Sequence, residues 1–553
     1  MCHARPSIVA VTVPAPERKN LLVPDLERWP LDPAKPAIEL VDVSIAFGPK
    51  QVLNGLNLKI VPGETTVIVG RSGSGKSVLL KLMMGLLRAD SGKVILFGRD
   101  LSTVSPVEIL ALRKRMSMLF QNYALFDALS VQDNVAFTLI ENSTIPRAEA
   151  IKMARELIQI LGLAGSENLL PGELSGGMKK RVSLARSLIA NPEVVLFDEP
   201  TTGLDPIMIE KVDEMILEAK QRFQITSAII SHDMASTHRL ADRVAFLHEG
   251  RIVFYGTYNE FIDTEEPSVR AFVDGAGTTR LGSAATAAPT TSPAVDDADT
   301  NVVLREAPAV ELVGVFKSFS GKPVLKGIDL PIYPGRTTVL IGASGSGKSV
   351  IIKHIMGLFK PDQGEIRVFG QDIVPMDDQQ LNEVRHRFGL LFQHAALLDW
   401  LTVYGNVAFP LEERTKTPPK EIRERVLEIL ERLHIADIKN RMPGEISEGQ
   451  KKRVGLARAI VMRPEIMIYD EPTTGQDPLR TRSIDDMIQE TQEQFDITSI
   501  VISHDMASTF RIAHMIALLH QGQIAAYGTP AQVLASPDPH VQHFIHAGAV
   551  ETH

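Results

Sequence analysis

The feature that most constrains this chain is an internal repeat. Three motifs occur twice in the same order, and each second copy lies 272 positions after the first: GRSGSGKSV at 70–78 and GASGSGKSV at 342–350, FDEPTTGLDP at 197–206 and YDEPTTGQDP at 469–478, and ISHDMAST at 230–237 and at 502–509. Because the offset is constant and only two copies of a very long unit occur, the pattern predicts a tandem duplication of one domain rather than a solenoid.

The repeat divides the 553 residues into two halves and two further segments. Half 1 is predicted at 37–274 and half 2 at 308–550, and each is long enough to enclose its own hydrophobic core. Residues 275–307 are rich in Ala, Thr, Ser, Gly and Pro, which predicts a flexible linker. Residues 1–36 contain several prolines and no hydrophobic periodicity, and we expect them to form a poorly ordered extension.

Within each half, short apolar runs alternate with helical stretches, as is typical of α/β domains. The runs at 65–69 and 337–341 are predicted to be buried strands, and each leads directly into a glycine-rich loop and a helix. The runs at 194–197 and 466–469 are predicted to be a second pair of buried strands.

Both glycine-rich loops fit the pattern G-x-x-x-x-G-K-[ST]. Their glycines let backbone amides surround a phosphate chain, and the following helix adds its positive N-terminal end. The lysine would neutralise the β- and γ-phosphates of ATP, and Ser77 and Ser349 would ligate Mg²⁺. The predicted ATP-binding residues of the two loops are Gly70, Ser72, Gly73, Ser74, Gly75, Lys76 and Ser77, and Gly342, Ser344, Gly345, Ser346, Gly347, Lys348 and Ser349.

An acidic pair ends a buried strand in each half. Asp198 and Asp470 are predicted to contact Mg²⁺. Glu199 and Glu471 follow them and are predicted to polarise the attacking water as general bases. The sequence therefore predicts an enzyme that hydrolyses ATP with Mg²⁺.

Two further polar residues recur in equivalent places beyond these motifs. His232 and His504 each follow an apolar strand in the sequence S-H-D and are predicted to sense the γ-phosphate. Gln121 and Gln393 lie in the sequence LFQ, and their matching register makes them candidate Mg²⁺ ligands.

The order of the phosphate loop, LFQ, LSGGM at 174–178, DEPTTGLD and SHD resembles that of the nucleotide-binding domains of ABC ATPases. The resemblance covers roughly 37–272 and 308–546. It implies two tandem P-loop ABC ATPase domains of α/β class, each with a mixed-sheet core and a helical subdomain. Such domains pair head to tail, so that each ATP lies on the phosphate loop of one half and under the signature loop of the other.

The resemblance also implies roles for residues outside the phosphate loops. Asp205 and Asp477 fall in the loop that communicates between paired domains, and Phe47 and Phe319 occupy the position of the aromatic ring that stacks on adenine. The signature residues that would contact ATP are Ser175, Gly176 and Gly177 in half 1, and Ser447 and Gly449 in half 2.

One position departs from the family pattern: Glu448 stands in half 2 where half 1 has Gly176. We call site 1 the site formed by the phosphate loop of half 1 and the signature loop of half 2, and site 2 the reverse. A carboxylate close to a triphosphate would repel it, so one expectation is that site 1 is weakened. The alternative is that Glu448 points outward and both sites work.

The segments that follow Gln121 and Gln393, and the stretch ASPDPHVQHFIHAG at 535–548, resemble the ATPase subunits of MCE-associated lipid transporters. This resemblance implies an integral-membrane permease and an MCE-domain protein as partners, and a location on the cytoplasmic face of the inner or plasma membrane. The apolar residues that would contact the permease are Leu125, Phe126, Val131, Leu397, Leu398 and Val403.

Two other classes remain open: the motor of a sugar or nutrient importer, and a soluble tandem ABC protein of translation or DNA repair. The single cysteine, Cys2, excludes a disulfide within the chain and argues against zinc-binding repair proteins. The net charge of −9 argues against a nucleic-acid partner. Since no apolar run approaches the length of a transmembrane helix, we expect the membrane pore to be a separate protein.

Overall fold

The computed structural model describes residues 35–120, 124–276, 307–393 and 395–547. The predicted extension at 1–36 and the predicted linker at 275–307 therefore lie almost wholly outside the described residues, as does Gln121. Each half contains a four-stranded antiparallel sheet, a six-stranded mixed sheet and a set of helices, which confirms the predicted α/β class.

Half 1 contains ten strands and nine α-helices within the described residues. Its strands are β1 (Ile38–Phe47), β2 (Lys50–Ile60), β3 (Thr65–Gly70), β4 (Ser91–Leu96), β5 (Arg99–Asp100), β6 (Met116–Leu119), β7 (Val194–Asp198), β8 (Thr226–Ile230), β9 (Arg243–His248) and β10 (Arg251–Gly256). Its helices are α1 (Lys76–Met83), α2 (Pro106–Arg113), α3 (Val131–Asn142), α4 (Arg147–Ile160), α5 (Gly176–Leu188), α6 (Pro206–Phe223), α7 (Met234–Leu240), α8 (Tyr258–Asp263) and α9 (Pro267–Gly275).

Half 2 repeats these elements, and each one begins 272 positions after its counterpart. Its strands are β11 (Val310–Phe319), β12 (Lys322–Ile332), β13 (Thr337–Gly342), β14 (Gln363–Val368), β15 (Gln371–Asp372), β16 (Phe388–Leu391), β17 (Ile466–Asp470), β18 (Thr498–Ile502), β19 (Met515–His520) and β20 (Gln523–Gly528). Its helices are α10 (Lys348–Ile355), α11 (Asp378–Arg385), α12 (Val403–Arg414), α13 (Pro419–Arg432), α14 (Glu448–Ile460), α15 (Pro478–Phe495), α16 (Met506–Ile512), α17 (Pro530–Leu534) and α18 (Pro539–Ala547).

The mixed sheet places the predicted site. Its strand order in half 1 is β10-β9-β3-β8-β7-β6, and all neighbours are parallel except β10 with β9. Half 2 has the same order and register: Val67 pairs with Ile229 and Val244, and Val339 pairs with the equivalent Val501 and Ile516. Because parallel strands end at the same edge, the residues that follow β3, β7 and β8 come together there.

The central strand is buried on both faces, as its continuous apolar run predicts. Val67 and Val69 pack into a core shared with the helices α3, α4 and α5. Ile68 points the other way, into a core shared with β1, β2 and α1 between the two sheets. The loop after β3 therefore projects from a strand that is fixed from both sides.

The two halves contact each other through their last helices as well as at the predicted site. Helix α9 of half 1 packs on α15 of half 2, and α18 of half 2 packs on α6 of half 1. At Gly275 the approach is close, since a Cβ there would lie 3.1 Å from the Leu479 side chain. His543 and Glu210 form an ion pair across the second contact, with 3.4 Å between Nε2 and Oε2.

None of the helices in the described ranges combines the length and the apolar character that crossing a bilayer requires.

Candidate active site

Both phosphate loops have the backbone that their glycines predict. Gly70 and Gly342 have φ angles of 153° and 147°, in the region that side chains disfavour. A Cβ at Gly70 would overlap the carbonyl oxygen of Leu247 on the neighbouring strand, and one at Gly342 would overlap that of Leu519. Glycine is therefore required where each loop leaves its strand.

The lysine of each loop lies inside it. Lys76 Nζ donates to the carbonyl oxygens of Gly70 at 2.7 Å and Arg71 at 3.0 Å, and Lys348 makes the same two bonds in half 2. Burial lowers the pKa of both ammonium groups, to about 8 for Lys348. A bound triphosphate would oppose this shift by stabilising the charged form.

The serines of the loops match the needs of a phosphate and a cation. The hydroxyls of Ser74 and Ser346 are buried and have no hydrogen-bond partner among the described residues, which fits groups that a phosphate oxygen would engage. Ser77 is exposed at the start of α1, beside Lys76. Hydroxyl and carboxylate oxygens are ligands that Mg²⁺ accepts, so Ser77 and the nearby Asp198 fit this ion.

The acidic pairs stand at the carboxyl ends of β7 and β17. Burial, together with the neighbouring glutamate, raises the pKa of Asp198 and of Asp470. Glu199 and Glu471 both have a φ of 49°, a left-handed conformation that costs free energy for a residue other than glycine or asparagine. Both glutamates therefore leave their strands in the same backbone conformation, at equivalent positions of the repeat.

Each glutamate is held by a histidine and a threonine. His504 Nε2 lies 2.8 Å from Glu471 Oε1, and His232 Nδ1 lies 3.5 Å from Glu199 Oε1. Thr202 donates to Glu199 at 3.0 Å. Burial raises the pKa of Glu199, but the hydrogen bond and charge of His232 and the Thr202 hydroxyl outweigh it and bring the pKa to about 2. The carboxylate is therefore ionised at neutral pH, as a general base must be.

Of the two glutamines predicted as Mg²⁺ ligands, Gln393 lies within the described residues. Gln393 is half-buried, two residues beyond the end of β16. Since β16 pairs in parallel with β17, Gln393 lies on the same edge of the sheet as Asp470. Gln121 lies outside the described residues.

Loops that follow the acidic pairs cross between the halves. Asp477 Oδ2 accepts from the backbone N–H of Ser72 at 3.0 Å, and Asp205 Oδ2 accepts from that of Ser344 at 2.9 Å. Both aspartates are buried. The phosphate loop of each half is thus hydrogen-bonded to the other half, in the reciprocal arrangement that head-to-tail pairing implies.

The signature loops form the starts of helices α5 and α14. Ser175 and Ser447 cap these helices by accepting from the N–H three residues on, each at 3.3 Å. The Glu448 side chain is 56% exposed, and its carboxylate pairs with Lys451 Nζ of its own helix at 2.6 Å. This geometry agrees with the alternative in which Glu448 points outward, and the weakening of site 1 stays a prediction. Contact of each signature loop with ATP stays a prediction.

The aromatic positions and the permease surface are only partly as predicted. Phe47 and Phe319 are exposed at the ends of their strands, so both rings are accessible. Phe126 is also exposed, and Leu125, Leu397 and Leu398 are half-buried. Val131 and Val403 are fully buried where they begin α3 and α12, so the prediction that they contact a permease is wrong. Each is the first residue of an amphipathic helix whose apolar face is turned inward.

Sequence reasoning missed two lysines behind the site. Lys180 is buried and donates to the carbonyl of Pro200, the residue after the acidic pair, and Lys452 does the same to Pro472. Burial lowers the pKa of both to about 8. These bonds join the signature helix to the acidic loop of its own half. The sequence could have indicated these two lysines only through their equivalent positions in the repeat.

Two phosphate loops on parallel strands, each with an acidic pair and a bond to the other half, define a nucleotide-hydrolysing P-loop protein. The family model for ABC transporters matches residues 53–202 and 325–474, more than half of the chain. The chain therefore belongs to the ABC transporter family, as an ATP-binding protein with two tandem ATPase domains, and it is an ATPase coupled to transport.

Several relatives match this chain across both of its halves. A putative ABC transporter ATP-binding protein of Vibrio parahaemolyticus is 29% identical, with 88% of each chain covered. The glutathione import ATP-binding protein GsiA of Escherichia coli is 29% identical over 90% of this chain and 86% of its own. The peptidoglycan transport ATP-binding protein YejF of Agrobacterium fabrum is 28% identical over 91% of this chain and 94% of its own.

Proposed function

We propose that this chain binds two Mg-ATP molecules between its halves and hydrolyses them to drive a separate membrane permease. The reciprocal hydrogen bonds from Asp477 to Ser72 and from Asp205 to Ser344 carry this proposal. They make each phosphate loop sensitive to the position of the other half. Binding at one loop would therefore alter the closure of the pair.

The residues take the following roles in the proposed reaction. Lys76 and Lys348 neutralise the phosphates, and Mg²⁺, held by Ser77 with Asp198 and by Ser349 with Asp470, would stabilise the developing charge. Glu199 and Glu471 accept the proton of the attacking water. His232 and His504 position these carboxylates and would sense the γ-phosphate.

Substitution of the lysines tests the sites directly. We expect Lys76→Ala together with Lys348→Ala to abolish ATP binding and turnover, because the charge that faces the phosphates is lost at both sites. Unchanged ATP binding by the double variant would contradict the assignment of the two loops. A near-native thermal unfolding curve for that variant is the control.

For the transported molecule, we propose lipids or other hydrophobic compounds, moved by a permease with an MCE-domain protein. This rests on the resemblance of the segments after Gln121 and Gln393 to the subunits of MCE-associated transporters. Exposed large apolar residues include Leu86, Val107 and Leu110 in half 1, and Leu358, Phe392 and Trp400 in half 2. These exposed side chains are candidate contacts for a permease. The proposed location is the cytoplasmic face of the inner or plasma membrane, where ATP is available.

A nutrient importer is the second candidate, and the relatives that match both halves favour it. GsiA and YejF are import and transport ATP-binding proteins that match this chain over most of their length. The lipid proposal rests on short segments of the chain, whereas the matches to these importers extend over both halves.

Affinity purification from gently solubilised native membranes separates the two candidates. A multi-span permease recovered together with an MCE-domain protein would support lipid transport. A permease recovered with a periplasmic solute-binding protein would support the importer and overturn the lipid proposal. The ATPase assignment is unaffected by either result.

A further inference from the structure

The two nucleotide sites differ at the residue three positions after the aspartate that crosses between the halves. Half 2 has Arg480 there, and half 1 has Met208. Both residues lie in the first turn of a helix, α15 and α6, that the aspartate caps. The backbone at the two positions is therefore equivalent, while only one side chain carries charge and hydrogen-bond donors.

Arg480 reaches into site 1 from the opposite half. Its Nη2 lies 3.3 Å from the carbonyl oxygen of Ser72 in the phosphate loop of half 1, and its Nε lies 3.5 Å from Asp477 Oδ2. The same Asp477 oxygen accepts from the Ser72 N–H. Half 2 thus binds both the N–H and the C=O of one phosphate-loop residue.

Site 2 has fewer hydrogen bonds between its phosphate loop and the opposite half. Asp205 accepts from the Ser344 N–H as its counterpart does. The thioether of Met208 has no hydrogen to donate to the Ser344 carbonyl, and Met208 instead lies against Gly177 in the signature loop of its own half. Ser344 therefore makes one hydrogen bond to the opposite half, whereas Ser72 makes two.

We propose that Arg480 is a positioning residue specific to site 1, which holds the two halves closed there and makes site 1 release nucleotide more slowly than site 2. The proposal rests on the proposed placement of ATP at the two phosphate loops. Its physical basis is that the halves cannot separate at Ser72 without breaking a charge-assisted hydrogen bond that site 2 lacks. The Arg480 side chain is 41% exposed, so solvent competes with this bond and the effect is moderate.

The test uses the full chain with Glu199→Gln and Glu471→Gln, so that nucleotide is bound but not hydrolysed. Release of a fluorescent ATP analogue with Mg²⁺ is followed after addition of excess ATP. We expect two phases. Adding Lys76→Ala should remove the slow phase, and adding Lys348→Ala should remove the fast phase.

Arg480→Met, which installs the residue of half 1, should speed the slow phase about threefold to tenfold and leave the fast phase unchanged. Arg480→Lys, which keeps the charge without the planar fork, should give an intermediate rate. The matched control is Arg482→Met, which removes an exposed arginine from the same helix and should change neither phase.

The reverse substitution tests whether an added arginine slows nucleotide release from site 2. Met208→Arg should slow the fast phase, since it places a donor beside Ser344. A slow phase that Arg480→Met does not alter, or a single phase in the parent chain, would overturn the proposal. If instead neither lysine variant affected analogue binding, the nucleotide sites themselves would be wrong.

Discussion

Half 1 and half 2 have the same strand order and sheet register but differ where they face other molecules. Around the nucleotide, site 1 has Arg480 and Glu448 where site 2 has Met208 and Gly176. On the outer surface, α2 exposes Val107 and Leu110, with fractions of 78% and 57%, while the matching α11 exposes Gln379 and Asn382. Half 2 instead exposes Trp400, at 73%. A duplicated fold can therefore retain one sheet topology and acquire two different surfaces.

The largest expected effect concerns the two general bases. If site 1 holds its nucleotide, site 2 carries most of the turnover. Glu471→Gln should then lower the steady-state ATPase rate about tenfold or more, and Glu199→Gln about twofold, because removal of a general base stops one site at a time. Equal losses from the two variants, measured by phosphate release, would mean that the sites turn over alike.

A pH titration should give an effect of similar size. Burial lowers the pKa of Lys348 to about 8, although Glu471, Asp205 and Asp470 oppose the shift. Since only the charged ammonium attracts phosphate, the ATP affinity of free site 2 should fall as pH rises through 8, by about tenfold between pH 7 and pH 9. The Lys76→Ala chain isolates this site for the titration.

The control for that titration is Lys348→Arg, whose guanidinium stays charged over the whole range. Its affinity should be flat with pH. An equal fall in the arginine variant would assign the pH dependence to another group.

Substitutions on the outer surfaces should have a smaller effect, which is measured as recovery of the permease. Leu110→Asp places a charge on the apolar face of α2, and we expect it to reduce recovery of the permease about fivefold. Asn382→Asp makes the matching change on the polar α11 and should reduce recovery much less. Equal reductions would indicate that both halves dock in the same way, and ATP turnover of the purified chain checks that each variant is folded.

The smallest effect is expected at the signature loop. Because the Glu448 carboxylate is exposed and paired with Lys451, Glu448→Gly should change ATP turnover less than about twofold, in line with the small contribution of surface ion pairs. A large gain in turnover at site 1 would show that the carboxylate repels the nucleotide after all. That result would restore Glu448, rather than Arg480, as the cause of the asymmetry.

Much of the fold and site could be predicted because the motifs act locally. A continuous apolar run followed by a glycine-rich loop specifies both the buried strand β3 and the backbone of residues 70–75, since the required φ angles restrict which residues can stand there. The error at Val131 and Val403 has a physical cause as well. From sequence alone, an apolar residue at the start of a helix cannot be assigned to a partner surface or to the core. Here both valines pack into the core.

The sequence by itself determined that two equivalent P-loop domains exist and what backbone each phosphate loop adopts, because these depend on residues that are near neighbours along the chain. Only the tertiary structure decided which half completes which site. Asp477 is 405 positions from Ser72 and Arg480 is 408, so no local pattern brings them together. Their contact follows from how two folded bodies dock, and docking depends on the shape and charge of whole surfaces.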